Sequence, residues 1–307
     1  MSIPTEINVN SYVLITSAYN EEKYITATID SILKQNIIPD KWIIVSDGST
    51  DSTDQIIQKY SFRHSFIKYI RLEKEKQRVG FASKVHALNI AVKLIGGTSY
   101  EFLGNLDADI TFESNNYFQK LIDRFHVDPK LGISGGTVFE FDGYKYKKRS
   151  INNIDSVAGA IQFFRKKCLE DIGGFLPIDV GGEDWIAEIT ARLKGWKVSS
   201  DPELIVYHHK KGNEVRGGVK EGIREGKMDY LVGSHPLFEI LKCAKRIKQK
   251  PYFVRAVIRV ITYYFLTIIG RERFVSKEIM EQLRKEQKVR MRLIYLDKYL
   301  NNICDLR

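Results

Sequence analysis

Four short apolar runs, each followed at once by polar and acidic residues, constrain this chain most. Residues 12–17 (YVLITS), 42–46 (WIIVS), 66–72 (FIKYIRL) and 100–106 (YEFLGNL) have the length and β-branched content of buried strands. Helical patterns lie between them. Ile25, Ile29, Ile32 and Leu33 recur at helical spacing in a segment that runs to Gln35. Asp51 and Asp54 open a second helix, and 81–95 (FASKVHALNIAVKLI) reads as a third, amphipathic one. Asn20, Glu21 and Glu22 read as the cap and acidic first turn of the first helix. Strands alternating with helices in this way predict a parallel sheet covered on both faces. Ligands of such sheets bind beyond the carboxyl ends of the strands. The polar clusters at 17–21, 47–51 and 107–109 all fall there, so three strand ends converge on one crevice.

After Phe112 the alternation weakens. Residues 132–141 and 158–165 read as further strands, 183–193 as a helix, and the neighbourhood of Val198 and 204–208 as short strands. The basic, glycine-bearing stretch 210–218 (KKGNEVRGG) has no periodicity and reads as a mobile loop. From Pro236 onward the pattern is helical. The expected organisation is a catalytic domain over 8–235 and a helical extension over 236–307.

Charge separates the same two regions. Residues 241–307 hold 17 basic and 6 acidic side chains, which leaves 31 and 32 in residues 1–240, so the basicity belongs to the tail. Its apolar stretch 260–269 is too short to cross a bilayer, which takes roughly 18–20 residues. Arg255 and Arg259 lie four apart on one helical face, and the basic runs 245–250 and 270–273 flank the stretch. Such a segment can rest in the interface of an anionic membrane, or pack on the catalytic domain or a second subunit as a homo-oligomer. Apolar content on this scale fits a lipid or protein partner better than nucleic acid. Cys168, Cys243 and Cys304 share no CxxC spacing and fit a reducing compartment. The N-terminus MSIPTEINVN has neither a basic nor an apolar signal region. The expected location is therefore cytoplasmic, peripheral on the inner face of the membrane.

Two acidic motifs carry chemistry. Asp107-Ala108-Asp109 follows an apolar strand, where two carboxylates one residue apart suit a divalent cation such as Mg2+ or Mn2+. Glu183 and Asp184 follow a Gly-Gly turn at a helix start, where a carboxylate held at a pocket floor can take a proton from a hydroxyl. DADIT also matches the DxDxT signature of haloacid dehalogenase-like phosphatases, but three β-units precede it and no GDxxxD run follows. A nucleotidyltransferase would share the crevice, yet SAYNEE lacks the glycine loop usual after its first strand. These two remain the alternatives. An oxidoreductase of the dinucleotide-binding type is excluded, since no GxGxxG follows a strand.

AYNEE after the first strand, DGSTD after the second, a Lys in FASKVHALNIA, DAD after the fourth and GGED before a helix occur in this order. Together they resemble the family 2 glycosyltransferases, inverting nucleotide-sugar enzymes of GT-A fold, over residues 10–210. The resemblance implies an α/β architecture with a Rossmann-like mixed sheet flanked by helices, here with a C-terminal helical extension. It implies that Thr16, Ala18, Tyr19 and Glu21 line the nucleoside pocket with Asp47 at the base, and that Lys84 faces the base or diphosphate. Asp107, with Ala108, would meet the ribose and the metal, Asp109 would bind the metal, and Asp184 would be the general base with Glu183 beside it. His208 or His209 would add a metal or phosphate ligand. Lys210, Lys211 and Arg216 would form a lid over the diphosphate. Trp185, with Trp196 and Phe164, would shape an acceptor pocket. Many members carry Asp where this chain has Ser46. The implied reaction moves a sugar from a nucleotide-diphosphate donor, a UDP-sugar above all, to a hydroxyl of a glycan or lipid-linked acceptor in cell-surface polysaccharide synthesis.

Overall fold

The structure is a computed structural model that describes residues 9–73, 81–149, 154–210, 218–246 and 253–304. The chain divides into two compact units, Met1–Asn213 and Glu214–Arg307.

The first unit is built on a mixed sheet. Its parallel half comprises β1 (Tyr12–Ala18), β2 (Lys41–Asp47), β3 (Ile67–Leu72) and β4 (Phe102–Asn105), with spatial order β3-β2-β1-β4. Beyond β4 come β8 (Phe163–Arg165), β6 (Leu131–Phe141), β9 (Lys197–His208) and β5 (Ile110–Phe112), while β7 (Tyr146–Lys148) pairs with β6. β8 is antiparallel to both neighbours, and β5 runs antiparallel to β9. Alternate side chains of each central strand enter opposite layers, as the two-residue strand period requires. Tyr12, Leu14, Trp42 and Ile44 pack with Ile25, Ile29 and Ile32 of α1 (Ile25–Leu33), Ile57 of α2 (Thr53–Arg63) and Leu121 of α4 (Tyr117–Val127). Val13, Ile15, Ile43 and Val45 pack with Val85 and Leu88 of α3 (Phe81–Ile95), Leu169 of α5 (Lys166–Ile172) and Ala187 of α6 (Glu183–Leu193).

Several local expectations change. Asn20, Glu21 and Glu22 do not begin α1, which starts at Ile25. Asn20 takes φ 54°, a left-handed value asparagine tolerates, and its side chain accepts from the Thr50 amide at 2.8 Å. Glu21 N donates to Thr53 Oγ1 (2.7 Å), and Ser52 N donates to Glu22 Oε2 (2.9 Å). The acids therefore brace the loop after β1 to the loop after β2. The two short strands expected near Val198 and over 204–208 are one strand, β9, interrupted by a register shift opposite Gly136 and Thr137. The run 158–165 is a strand only over Phe163–Arg165, because Ile161 N turns back to Ala158 O (3.0 Å).

The second unit is helical: α7 (Gly218–Val232), α8 (Pro236–Arg246), α9 (Phe253–Ile268) and α10 (Lys277–Cys304). The unit boundary falls before α7, upstream of the boundary at 235 read from sequence, because α7 packs along α9. Gly222 and Gly226 permit that approach: a Cβ at Gly226 would lie 2.4 Å from the Arg259 carbonyl oxygen. Among the described residues, no helix is long and apolar enough to cross a membrane.

Candidate active site

Backbone register assembles the acidic cluster. Past the end of β4, Leu106 N donates to Ile15 O (3.0 Å) and Asp107 N to Ala160 O (2.9 Å), which fixes the DAD segment between β1 and the 157–162 loop. β5 then pairs with the end of β9 so that Ile110 lies opposite His208, and His209 N donates to Asp109 O (2.9 Å). His208 Nε2 reaches Asp109 Oδ2 at 3.0 Å, and ligand atoms of Asp107, Asp109 and His208 all lie within 4.8 Å of one another. Two carboxylates and an imidazole, partly buried and aimed at one point, fit a divalent first-row cation such as Mn2+. Burial alone would lower the His208 pKa. Asp109, with Glu140 at 3.9 Å from Nδ1, raises it to about 10, so a metal at this site would displace a proton.

The choice between the two histidines follows from geometry. His209 is turned away: Nε2 meets Thr111 Oγ1 at 2.8 Å, and Nδ1 meets the Tyr146 hydroxyl. Tyr24 stacks on its ring. Burial holds its pKa below the ordinary histidine value.

The second acidic pair stands at the start of α6. Gly181 and Gly182 take φ of 83° and 100°, left-handed values that turn the chain into the helix without a side-chain cap. Glu183 is buried, and burial together with Asp184 raises its pKa to about 7, against the pull of Lys84. Asp184 Oδ1 accepts from the Trp185 amide at 2.8 Å. Asp184 also packs tightly over Gly159, where an added Cβ would lie 2.5 Å from Oδ2. Lys84 Nζ sits 2.7 Å from Asp107 Oδ1 and feels Glu183 and Asp184 as well. Burial disfavours its ammonium, yet these carboxylates raise its pKa overall. One lysine thus bridges the two acidic motifs.

Other expected pocket residues divide. Asp47 is buried, accepts from Ser83 Oγ, and among the described residues its Oδ1 accepts no hydrogen bond. Glu21 pairs with Lys210 at 2.5 Å, and its Oε2 likewise accepts none. Burial raises the Glu21 pKa to about 7, with Lys210 opposing and Asp109 and Asp107 adding to the rise. Tyr19 is exposed and Trp185 half-buried. Thr16, Ala18 and Ala108 are interior: the Thr16 hydroxyl accepts from the Trp42 indole at 3.0 Å, and Ala18 and Ala108 belong to the core. Strand alternation in β1 turns Thr16 and Ala18 inward, and Ala108 is packed in the turn between β4 and β5. Phe164 is likewise core, and the Trp196 indole is bound to Asp171 at 3.1 Å, so neither fits the expected acceptor pocket. Lys211 and Arg216 lie outside the described residues.

Residues that sequence reading missed hold the motifs in place. Asn105 Nδ2 donates to Gly159 O (2.9 Å), and Gln162 Nε2 donates to the Asp184 carbonyl (3.2 Å). Both side chains are buried, and their amide oxygens accept nothing among the described residues. No motif announces them; their signal is only a polar residue inside an otherwise apolar run.

Comparison with known proteins agrees with this geometry. The family described as glycosyl transferase family 2 matches residues 13–181. The poly-β-1,6-N-acetyl-D-glucosamine synthase of Staphylococcus epidermidis is 26% identical over 211 residues, 63% of this chain and 48% of that protein. The chain thus spans about half the length of this curated relative. Among solved structures, the mannosyltransferase PcManGT of Pyrobaculum calidifontis, in complex with GDP-Man and Mn2+, superposes with a TM-score of 0.56 at 16% identity, covering 85% of this chain and 88% of that one. S. aureus TarS 1–349 in complex with UDP-GlcNAc gives 0.53 at 17% identity, covering 89% and 78%. At such identities the likeness shows the shared GT-A fold. The phosphatase and nucleotidyltransferase alternatives are not favoured, and DAD follows the fourth strand of the sheet, not the first. This chain is a glycosyltransferase and belongs to glycosyl transferase family 2.

Proposed function

We propose that the protein transfers a sugar, with inversion, from a nucleoside-diphosphate donor to a hydroxyl of a glycan or lipid-linked glycan. UDP-GlcNAc is the donor we favour, since one relative is a poly-N-acetylglucosamine synthase and TarS is described with UDP-GlcNAc. The reading rests above all on two acidic motifs joined by Lys84: a ligand set of Asp107, Asp109 and His208, and a separate pair, Glu183 and Asp184.

Asp107, Asp109 and His208 would hold Mn2+ or Mg2+, which supplies positive charge against the departing diphosphate. Lys84 sets a fixed ammonium between the leaving group and the acceptor side, where it offsets the same developing charge. Lys210, on Glu21, supplies a second cation at the rim. Asp47 Oδ1 and Glu21 Oε2 are the acceptor atoms left for the nucleoside. Asp184 Oδ1 is held by the Trp185 amide, so Oδ2 takes the proton of the acceptor hydroxyl during attack. Glu183, whose carboxyl burial and Asp184 push up to about 7, stands beside the base as an acceptor contact. Base and leaving group on opposite faces of the sugar give inversion.

The test is donor-induced thermal protection together with turnover. UDP-GlcNAc should raise the melting temperature with Mn2+ present, and a chelator should abolish both the protection and transfer. Asp109→Ala should weaken protection. Asp184→Asn should keep it and lower turnover by ~10²–10⁴-fold. Full turnover after chelation, or in Asp184→Asn, overturns the assignment. Protection by GDP-Man but not by UDP-GlcNAc overturns the donor alone.

A further inference from the structure

The helical unit carries an unassigned surface on α9. At 100° per residue, Val254, Val257, Ile261, Phe265 and Ile268 fall within an arc of ~80°. All five are exposed, Ile261 at 60%, Phe265 at 59% and Ile268 at 83%. The opposite face holds Ala256, Arg259, Tyr263 and Leu266, which are buried. The arginines of α9, which sequence alone left available to a lipid headgroup, are consumed inward. Arg259 binds Glu225 (3.1 Å), Asp229 and Glu239 (2.7 Å), and Arg255 binds Glu225 (2.7 Å). The outer face therefore presents hydrocarbon with no charge of its own.

The sequence that flanks α9 is basic. Lys245 before α9 and Arg271 after it are exposed, and residues 241–307 carry 17 basic against 6 acidic side chains. α9 has 16 residues, about 24 Å at 1.5 Å per residue, short of the ~30 Å hydrocarbon core, and its buried face is ionic. A helix of this kind suits the plane of a membrane interface, with apolar side chains among the acyl chains and cations among the headgroups. A second copy of the chain would bring the same excess of positive charge to the contact, which disfavours pairing through this face.

We propose that the outer face of α9 docks on an anionic lipid surface. The experiment is flotation of the full chain with vesicles of phosphatidylglycerol and phosphatidylcholine, against vesicles of phosphatidylcholine alone. Wild type should bind the anionic vesicles and lose binding as salt rises. The double variant Ile261→Glu, Phe265→Glu should bind at least about tenfold more weakly. Its helical circular dichroism and its sugar transfer to a soluble acceptor should be unchanged. Phe62→Glu, at a still more exposed aromatic on α2, should bind as wild type does. Equal vesicle binding by wild type and the double variant overturns the proposal. So does absence of vesicle binding by wild type, whether the chain then sediments as a monomer or as a dimer that the double variant dissociates.

Discussion

The two units bury charge in opposite ways. In the sheet unit, Glu21, Asp47, Asp107, Asp109, Glu183 and Asp184 gather at strand and helix ends with, among the described residues, Lys84, Lys210 and His208 for cations. In the helical unit, the four acids Glu221, Glu225, Asp229 and Glu239 share ion pairs with the four bases Arg224, Lys242, Arg255 and Arg259. Among the described residues the first set is short of positive charge, and acceptor atoms without a hydrogen bond occur in both sets, at Glu21 and Asp47 in the first and at Glu239 in the second. The second is neutral and holds α7, α8 and α9 together. Buried charge thus serves binding where it is unbalanced and architecture where it is balanced.

Breaking the balanced set should have the largest effect. Arg259→Met leaves the buried Asp229 and Glu239 with Lys242 as their one remaining cation among the described residues and should destabilise the helical unit by about 3–5 kcal/mol in urea unfolding. A loss below about 1 kcal/mol would mean that packing, not charge, holds these helices. In the unbalanced set, Gly159→Ala places a methyl 2.5 Å from Asp184 Oδ2 and 2.9 Å from its Cβ, which must move the carboxylate. Turnover should fall about 10²-fold with the donor Michaelis constant unchanged, and equal losses in both would place Asp184 in donor binding instead.

The smallest effect comes from a carboxylate that is neither ligand nor base. Glu188 is buried on α6, accepts from the Val157 amide at 2.6 Å and has its pKa raised by burial to about 7. A raised carboxyl pKa favours the folded state below the unfolded value of 4.5, and that advantage is lost as pH rises through about 7. Relative to Glu188→Gln, wild type should lose on the order of 1–3 kcal/mol of stability between about pH 4 and about pH 8. A pH-independent difference in denaturant midpoint would show that Glu188 is solvated as an ordinary surface acid.

Much of the sheet unit was legible in sequence because its signals are local. The apolar runs of β1 and β2 and the periodicity of α3 each report burial within a few residues, and DAD and GGED follow their elements directly. What was not legible depends on partners distant in sequence. Asn20, Glu21 and Glu22 look like a helix cap until the loop at 49–53 takes up their hydrogen bonds. α7 was missed because Gly222 and Gly226 count against a helix locally. Their value appears only where α9 presses on them. The sequence left Arg255 and Arg259 open between a membrane interface and packing for the same reason, since the acids that claim them lie on α7 and α8. Gln162 sat inside an apparent strand, and only its donation to the Asp184 carbonyl gives it a purpose.

The register shift between β6 and β9 has a consequence for the ligand set. Gly136 pairs with Asp201 and Thr137 with Ile205, so residues 202–204 are looped out of the ladder. An odd number of extra residues inverts the up-down parity of everything downstream. That inversion puts His208 opposite Glu140 and turns its imidazole toward Asp109. In an uninterrupted ladder Ile205 would stand opposite Glu140, so this backbone irregularity brings an imidazole, in place of an aliphatic side chain, to the carboxylates.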